Sequence, residues 1–440
     1  MAGGNWTAQN KILPGVYTNF KGKGAKPSSG GTRGIVGLPI TLPWLPAGEL
    51  IEVYPEDAAS YIADYGDYAL TLQETMKNAS KVLLYRLNSG TKATAQLGNL
   101  KCTAKYTGTF GNRLKVSIEN VLGETGKFYV VTWLDTEELE RQKVSNSSEL
   151  KGNDWIDFTS SGDGSLVINA GVALINGADG IVTNSNYVSF LSAMETQEFN
   201  AVACTTDAVD IKNLFIAFAN RLRNDEGRYI QVVVPDTSAG DFEGVISVKN
   251  GVYLEGGVHV DKVKATAYIA GATAATPLTE SLTNAPYKGA VDVDERYTLS
   301  QQEQLAKTGQ MVFIPTSVGS NKVVIQKDIN SLVTFTDKKP YSFSKNKIIR
   351  ILDSIGTEIF TRGTLSFIGK TQNNKEGRDL FKAEILTYFR TLQAQGVIRD
   401  VVPEDITVNQ GTLIDSIVVD YVVRPVDTMD VIYNTIVVEG

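Results

Sequence analysis

Residues 417–438 limit the possible folds of this chain more than any other stretch. Ile417–Val423 reads Ile-Val-Val-Asp-Tyr-Val-Val, and Arg424-Pro425 interrupts it. Val431–Val438 then reads Val-Ile-Tyr-Asn-Thr-Ile-Val-Val, with only Glu439 and Gly440 behind it. β-Branched and aromatic residues at this density fit a pleated, half-buried surface. Chain ends fray unless something ties them down. An apolar strand left unpaired is a template for association with another chain. The segment therefore needs a sheet. That sheet belongs either to its own subunit, the ordinary outcome, or to a neighbouring one.

The 440 residues suffice for two to four domains, each with its own core. Charge argues against bulk affinity for nucleic acid, because the net value is −7. Its distribution says more. Before Glu49 there is no acid, and Lys11, Lys21, Lys23, Lys26 and Arg33 give the first 48 residues +5. Residues 338–390 carry eleven bases against five acids, and residues 391–440 carry two bases against eight acids. The basic start and the acidic end can attract each other, within one subunit or between two. No apolar run reaches the ~18 residues of a membrane span, and the first residues lack the apolar core of a secretory signal. Cys102 and Cys204 are far apart and match no metal spacing, which suits two inert core thiols in a reducing cytoplasm.

Along the chain the pattern changes several times. Residues 1–31 form an arm of Gly, Lys, Ser and Asn around one short strand, Val16–Phe20, with Gly22–Gly31 as its tether. Residues 32–91 read as α/β, with strands at Gly34–Leu38, Glu49–Val53 and Lys81–Leu87. A helix over 55–64 carries acids in its first turn, and a second covers about 68–78. Residues 92–177 show short strands at 101–106, 114–119, 127–133 and 166–174 between Gly- and Asn-containing turns, the pattern of an inserted β-sandwich. Residues 178–338 return to α/β. A βαβ unit there runs from Asn200–Thr205 through a helix at Val209–Arg223 to Arg228–Val234, and a small-residue helix follows at 263–274. Residues 339–424 read as α+β. Ser344 is the expected cap of a helix bearing Ile348, Ile349, Leu352, Ile355 and Ile359. A second helix over 377–395 is stopped by Gly396. Residues 425–440 hold the second apolar strand, beyond the break at Arg424-Pro425.

Catalytic chemistry finds little support. The only histidine is His259, so any triad, imidazole acid or multi-histidine metal site would have to use it. Its neighbours, Gly256-Gly-Val-His-Val260, form no metal motif. Gly123–Lys127 lacks the first glycine and the Ser/Thr of a phosphate loop and reads as a hairpin turn. The turn Thr205–Ala208 lacks a dinucleotide fingerprint. Val291–Glu295 suits an edge strand with one wet face better than a cation site. No catalytic residue, cofactor or metal ligand is assigned. The competing possibilities are a hydrolase on the α/β middle region and a β-rich surface-binding module. The lone histidine weighs against the first, and the missing signal and low cysteine count against the second.

Several segments together carry a resemblance. They are Pro14–Tyr17 after a polar leader, Ala267–Ala272, Ser281–Thr283, Gly289–Asp294 and Asp328–Phe335. Further on come Lys345–Asp353, Gly369–Arg378 with Leu380–Glu384, and Arg424–Asp430. Over nearly its full length the chain resembles contractile tail sheath proteins of the myophage, PBSX-like prophage and R-type bacteriocin kind. The resemblance implies a β-sandwich, a middle domain of subtilisin-like fold and a C-terminal α+β polymerisation domain. A shared fold does not carry a shared activity. It further implies a virion-tail or tailocin subunit, assembled in the bacterial cytoplasm into a helical homopolymer of hexameric rings. Contraction then drives a tube through an envelope. Its implied partners are itself, the tail tube protein, and baseplate and terminator proteins, with no nucleic acid and no membrane insertion.

Subunits of that family exchange terminal strands by β-augmentation. The resemblance thus assigns Val16, Tyr17, Thr18 and Phe20 to an N-terminal strand arm. It assigns Val431, Ile432, Tyr433, Ile436, Val437 and Val438 to a C-terminal one. Tubes are commonly acidic, so Lys345, Lys347 and Arg350 become candidates for a tube-facing surface.

Overall fold

The computed structural model describes residues 2–4, 15–17, 33–317, 319 and 322–438. Contacts divide the chain into two units, one of residues 1–38, 71–82 and 198–440, the other of 39–70 and 83–197.

The first unit is built on a parallel sheet. Five of its strands lie in the order Gln310–Met311, Val245–Val248, Gln231–Pro235, Ala201–Ala203 and Ile35–Ile40. The register pairs Val248 with Met311, Val232 with Val245, Val202 with Val232 and Ala201 with Val36. Val232, Val233 and Val234 are completely buried, so this strand is covered on both faces, as parallel sheets require. The expected βαβ unit is present, with Val209–Asn224 as its helix. The helix Lys262–Ala275 packs on the sheet through small residues. A Cβ on Gly271 would come within 2.4 Å of the Thr75 carbonyl oxygen, so only glycine allows that approach.

Two helices and a hairpin complete this unit. Asn346–Arg362 and Lys375–Ala394 bury Ile348, Ile351, Ile355, Ile359, Phe381, Ile385, Phe389 and Leu392 in one core. Asn374 caps the second helix by accepting from the Gly377 amide at 2.8 Å. Gly396, with φ +68°, follows it and allows the chain to turn away. The antiparallel hairpin Ile406–Gln410 and Ile417–Tyr421 closes the core from below with Ile406, Val408, Val419 and Tyr421.

The second unit is dominated by the expected sandwich of two four-stranded sheets. One is ordered Glu137–Val144, Phe128–Leu134, Leu114–Asn120, Asn169–Ala173; the other Ile156–Ser160, Leu100–Thr107, Gly90–Leu97, Ala178–Asp179. Leu100, Cys102, Val116, Ile118 and Val131 are fully buried, and Lys101 and Thr103 on either side of Cys102 are wetter. Gly123–Lys127 is a hairpin turn between antiparallel strands, as its sequence indicated.

Two local expectations are corrected. The acids near residue 56 precede the helix Ala58–Tyr65 and do not lie in its first turn; Asp57 instead accepts from the Tyr54 amide at 3.3 Å. Ser344 does not cap the 346–362 helix. It lies in a preceding 3-10 turn, where its hydroxyl donates to the Tyr341 carbonyl at 2.8 Å. Val431–Val438, rich enough in β-branched residues for a strand, pairs with nothing among the described residues.

Candidate functional site

The C-terminal segment stands out by what it leaves unpaired. Val431, Ile432, Ile436, Val437 and Val438 are all exposed, and Tyr433 is 94% exposed. Six large apolar side chains in eight residues is an unusual load of oil for a solvated segment. At the other end, Gly15–Tyr17 pairs in parallel with Ala2–Gly4, placing Val16 opposite Gly3 and Tyr17 opposite Gly4. This strand passes beside the 346–362 helix. Thr18 and Phe20 lie outside the described residues.

The hairpin 406–410/417–421 supplies the complementary feature. It is a two-stranded sheet, so among the described residues each strand has one ladder edge without a strand partner. Two strands alone are marginal. Packing of one face on the 375–394 helix stabilises them, and the outer edges retain backbone donors and acceptors for further strands.

Between hairpin and arm the chain is held firmly. The Arg424 guanidinium forks onto the Asp405 carboxylate, with Nη2 to Oδ1 at 2.6 Å, and Nη1 also donates to the Asp400 carbonyl at 2.7 Å. That guanidinium holds the Asp405 carboxyl below the ordinary aspartate range. Pro425 bridges to Ile398. Lys345 Nζ then donates to Asp427 and, at 2.9 Å, to Asp430. Burial works against the Lys345 charge. The hydrogen bonds to Asp427 and Asp430 outweigh it and keep its pKa above the ordinary lysine value.

The expected tube-facing surface at Lys345, Lys347 and Arg350 does not fit the structure. Arg350 is 1% exposed, and its Nη2 donates to Asp328 at 2.8 Å and to the Glu280 carbonyl at 3.2 Å. Lys347 is also buried, which lowers its pKa. Lys345 is spent on Asp427 and Asp430. Of these bases, Arg350 points inward to the buried Asp328, and Lys345 is turned to the acids of residues 427–430. Asp353, three residues beyond Arg350 along the same helix, receives a bidentate Arg223 fork at 2.6 and 2.8 Å.

Sequence reading passed over the acids at 427 and 430, the Arg424–Asp405 pair and the strand Ile406–Gln410. The opposite net charges of 338–390 and 391–440 were the available signal, and Lys345 with Asp427 and Asp430 shows that attraction within one subunit.

The places where chemistry could sit are occupied by structural pairs. His259 lies on an exposed hairpin, its Nε2 3.2 Å from Asp294 Oδ2 and its ring stacked on Tyr253. Ligands of open α/β sheets bind beyond the carboxyl ends of the strands. There Asp207 meets Lys212 and Lys262, and Asp236 meets Lys249 and Lys262, all within 3.3 Å. Cys102 and Cys204 are buried free thiols, each pushed up to about 12 by burial. No group of three or more metal-ligating side chains occurs among the described residues, and no helix among them is long and apolar enough to cross a membrane.

A helical-hairpin C-terminal domain with spare strand edges, an α/β centre and an inserted sandwich define a phage tail sheath architecture. Residues 33–87 match the family model for the N-terminal region of domain III of the tail sheath protein Gp18, and residues 88–179 match the phage tail sheath β-sandwich domain. Residues 180–331 match the phage tail sheath central domain, and residues 338–439 the C-terminal domain. The phage-like element PBSX protein XkdK of Bacillus subtilis is 36% identical over 464 residues, 98% of this chain and 99% of that one. The crystal structure of a sheath tail protein from Desulfitobacterium hafniense is 38% identical, with a TM-score of 0.84, covering 94% of this chain and 97% of that one. A sheath tail protein from Listeria innocua is 32% identical, with a TM-score of 0.79, over 91% and 94% of the two chains. The chain belongs to the phage tail sheath family. It is a contractile tail sheath subunit, a component of a phage-type tail.

Proposed function

We propose that this subunit polymerises by strand donation. Val431–Val438 leaves its own subunit and adds to the open edge of a neighbour's 406–410/417–421 hairpin, and the N-terminal segment around Val16–Phe20 is a second donated strand. The observation that carries this is the pairing of opposites in one chain. A β-branched segment is exposed at Ile432, Tyr433, Ile436, Val437 and Val438, and a two-stranded sheet has unpaired edges. Backbone pairing would supply hydrogen bonds to both, and burial of each large apolar side chain would contribute roughly 1.5–3 kcal/mol. A head-to-tail contact of this kind does not close on itself, so it propagates as a helix.

In this account the subunits slide and rotate as rigid bodies while the strands hold, and the difference between extended and contracted packing performs the work. No catalytic step is required. Tail tube and baseplate proteins are the partners of the assembled polymer, and assembly takes place in the bacterial cytoplasm. The test is truncation. A chain ending at Asp430 should remain a folded monomer and form no long sheaths, whereas the full chain should give striated hollow cylinders in negative stain. Normal cylinders from the truncated chain would refute strand donation.

A further inference from the structure

The donated strand needs a fixed root, or pull on it would simply unravel the donor. The acids that hold this root sit in an instructive place. Lys345 precedes the first turn of the 346–362 helix, where a lone cation is disfavoured by the helix dipole. Asp427 and Asp430 reverse the sign there, because two carboxylates meet one ammonium and leave net negative charge at the helix N-terminus. Lys345 and Asp430 are each 15% exposed, so the contact is shielded from solvent and is not a loose surface pair. Immediately beyond Asp430 the exposed run begins with Val431.

The helix that receives this contact is itself tied to the α/β region. The Asn346 amide donates to Asp328 at 2.9 Å and its side-chain oxygen accepts from Gln231 at 3.1 Å. Arg350 pairs with Asp328 at 2.8 Å, and Asp353 takes the Arg223 fork. Gln231 lies on a central strand of the parallel sheet, and Arg223 on the helix beside it. Buried pairs of this sort are costly to break singly, because each leaves an uncompensated charge.

We infer that Lys345, Asp427 and Asp430 form a latch that fixes where the C-terminal strand leaves its subunit and passes tension on it, through the 346–362 helix, to the central parallel sheet. This rests on the strand-donation reading. Residues 425–430 therefore stay with the donor, and the donated segment starts at Val431.

The latch can be tested on the monomer, independently of assembly. Carboxypeptidase trimming of the full-length monomer, followed by intact mass, should slow sharply near Asp430 in low salt. Lys345→Met and the double variant Asp427→Asn/Asp430→Asn should lose residues 425–430 roughly tenfold faster, the change expected when a charge-assisted pair is removed. The charge exchange Lys345→Glu with Asp427→Lys and Asp430→Lys should restore the pause, which a merely misfolded variant could not do. An unchanged stopping point in Lys345→Met, with its thermal unfolding also unchanged, would overturn the latch. Sheath formation by the chain truncated at Asp430 would instead overturn strand donation, so the two failures are distinguishable.

Discussion

Ile417–Tyr421 and Val431–Val438 have nearly the same chemistry and opposite fates. The first is paired residue by residue with Ile406–Gln410 and packs Val419 and Tyr421 on a helical core. The second is equally β-branched and lies in solvent. Propensity does not separate them. The difference lies in position relative to three ion pairs. Arg424–Asp405 and Lys345 with Asp427 and Asp430 hold the chain up to residue 430, and beyond it no strand partner occurs among the described residues. A strand-forming sequence becomes a strand only where a ladder is within reach.

The largest expected effect on this comparison comes from removing the second segment altogether. Truncation after Asp430 should abolish long sheaths and leave the monomer's unfolding unchanged. Next come single substitutions that contrast the two segments. Ile406→Ala empties a fully buried site beneath the hairpin and should destabilise the monomer by about 2–4 kcal/mol in urea unfolding. Ile436→Ala, at an exposed site, should change monomer stability by less than ~0.5 kcal/mol while reducing sheath yield. Equal monomer destabilisation by both would erase the distinction.

Acid should act on the root between them. Arg424 depresses the Asp405 pKa, so Asp405 contributes stability that is present above the ordinary aspartate pKa and is lost as pH falls through its lowered folded value. Carboxypeptidase access to residues 424–430 should therefore rise below about pH 4, and Arg424→Met should shrink that pH step. Lys345 has the opposite sign: its raised pKa keeps its contribution intact until pH climbs past the ordinary lysine value. The smallest effect belongs to the sandwich edge. Arg141→Gln removes exposed pairs with Glu119 and Glu138 and should leave the chemical-unfolding midpoint and sheath assembly unchanged.

Much of this was legible in the sequence, for physical reasons specific to each part. The βαβ unit announced itself through a long apolar-periodic helix between valine-rich strands, and the sandwich through short strands at regular spacing. Glu137–Val144 was missed because an edge strand carries Glu138, Arg141 and Lys143 as solvated pairs and no apolar alternation. Ile406–Gln410 was missed because one buried side, Ile406 and Val408, is too short a signal. The basic helix was misread as outward-facing because charge counts say nothing of direction. Its partners, Asp328, Asp427 and Asp430, come from distant segments that only the fold brings together. The β-branched content of 431–438, by contrast, was plain in the sequence, and its pairing with a neighbour is what we propose.

The most direct test of the central claim is a cryo-EM map of the assembled sheath, traced through residues 425–438. Strand donation predicts continuous density that leaves the donor after Asp430 and runs along the open edge of a neighbouring 406–410/417–421 hairpin. Density for Val431–Val438 folded back onto its own subunit's hairpin would contradict it.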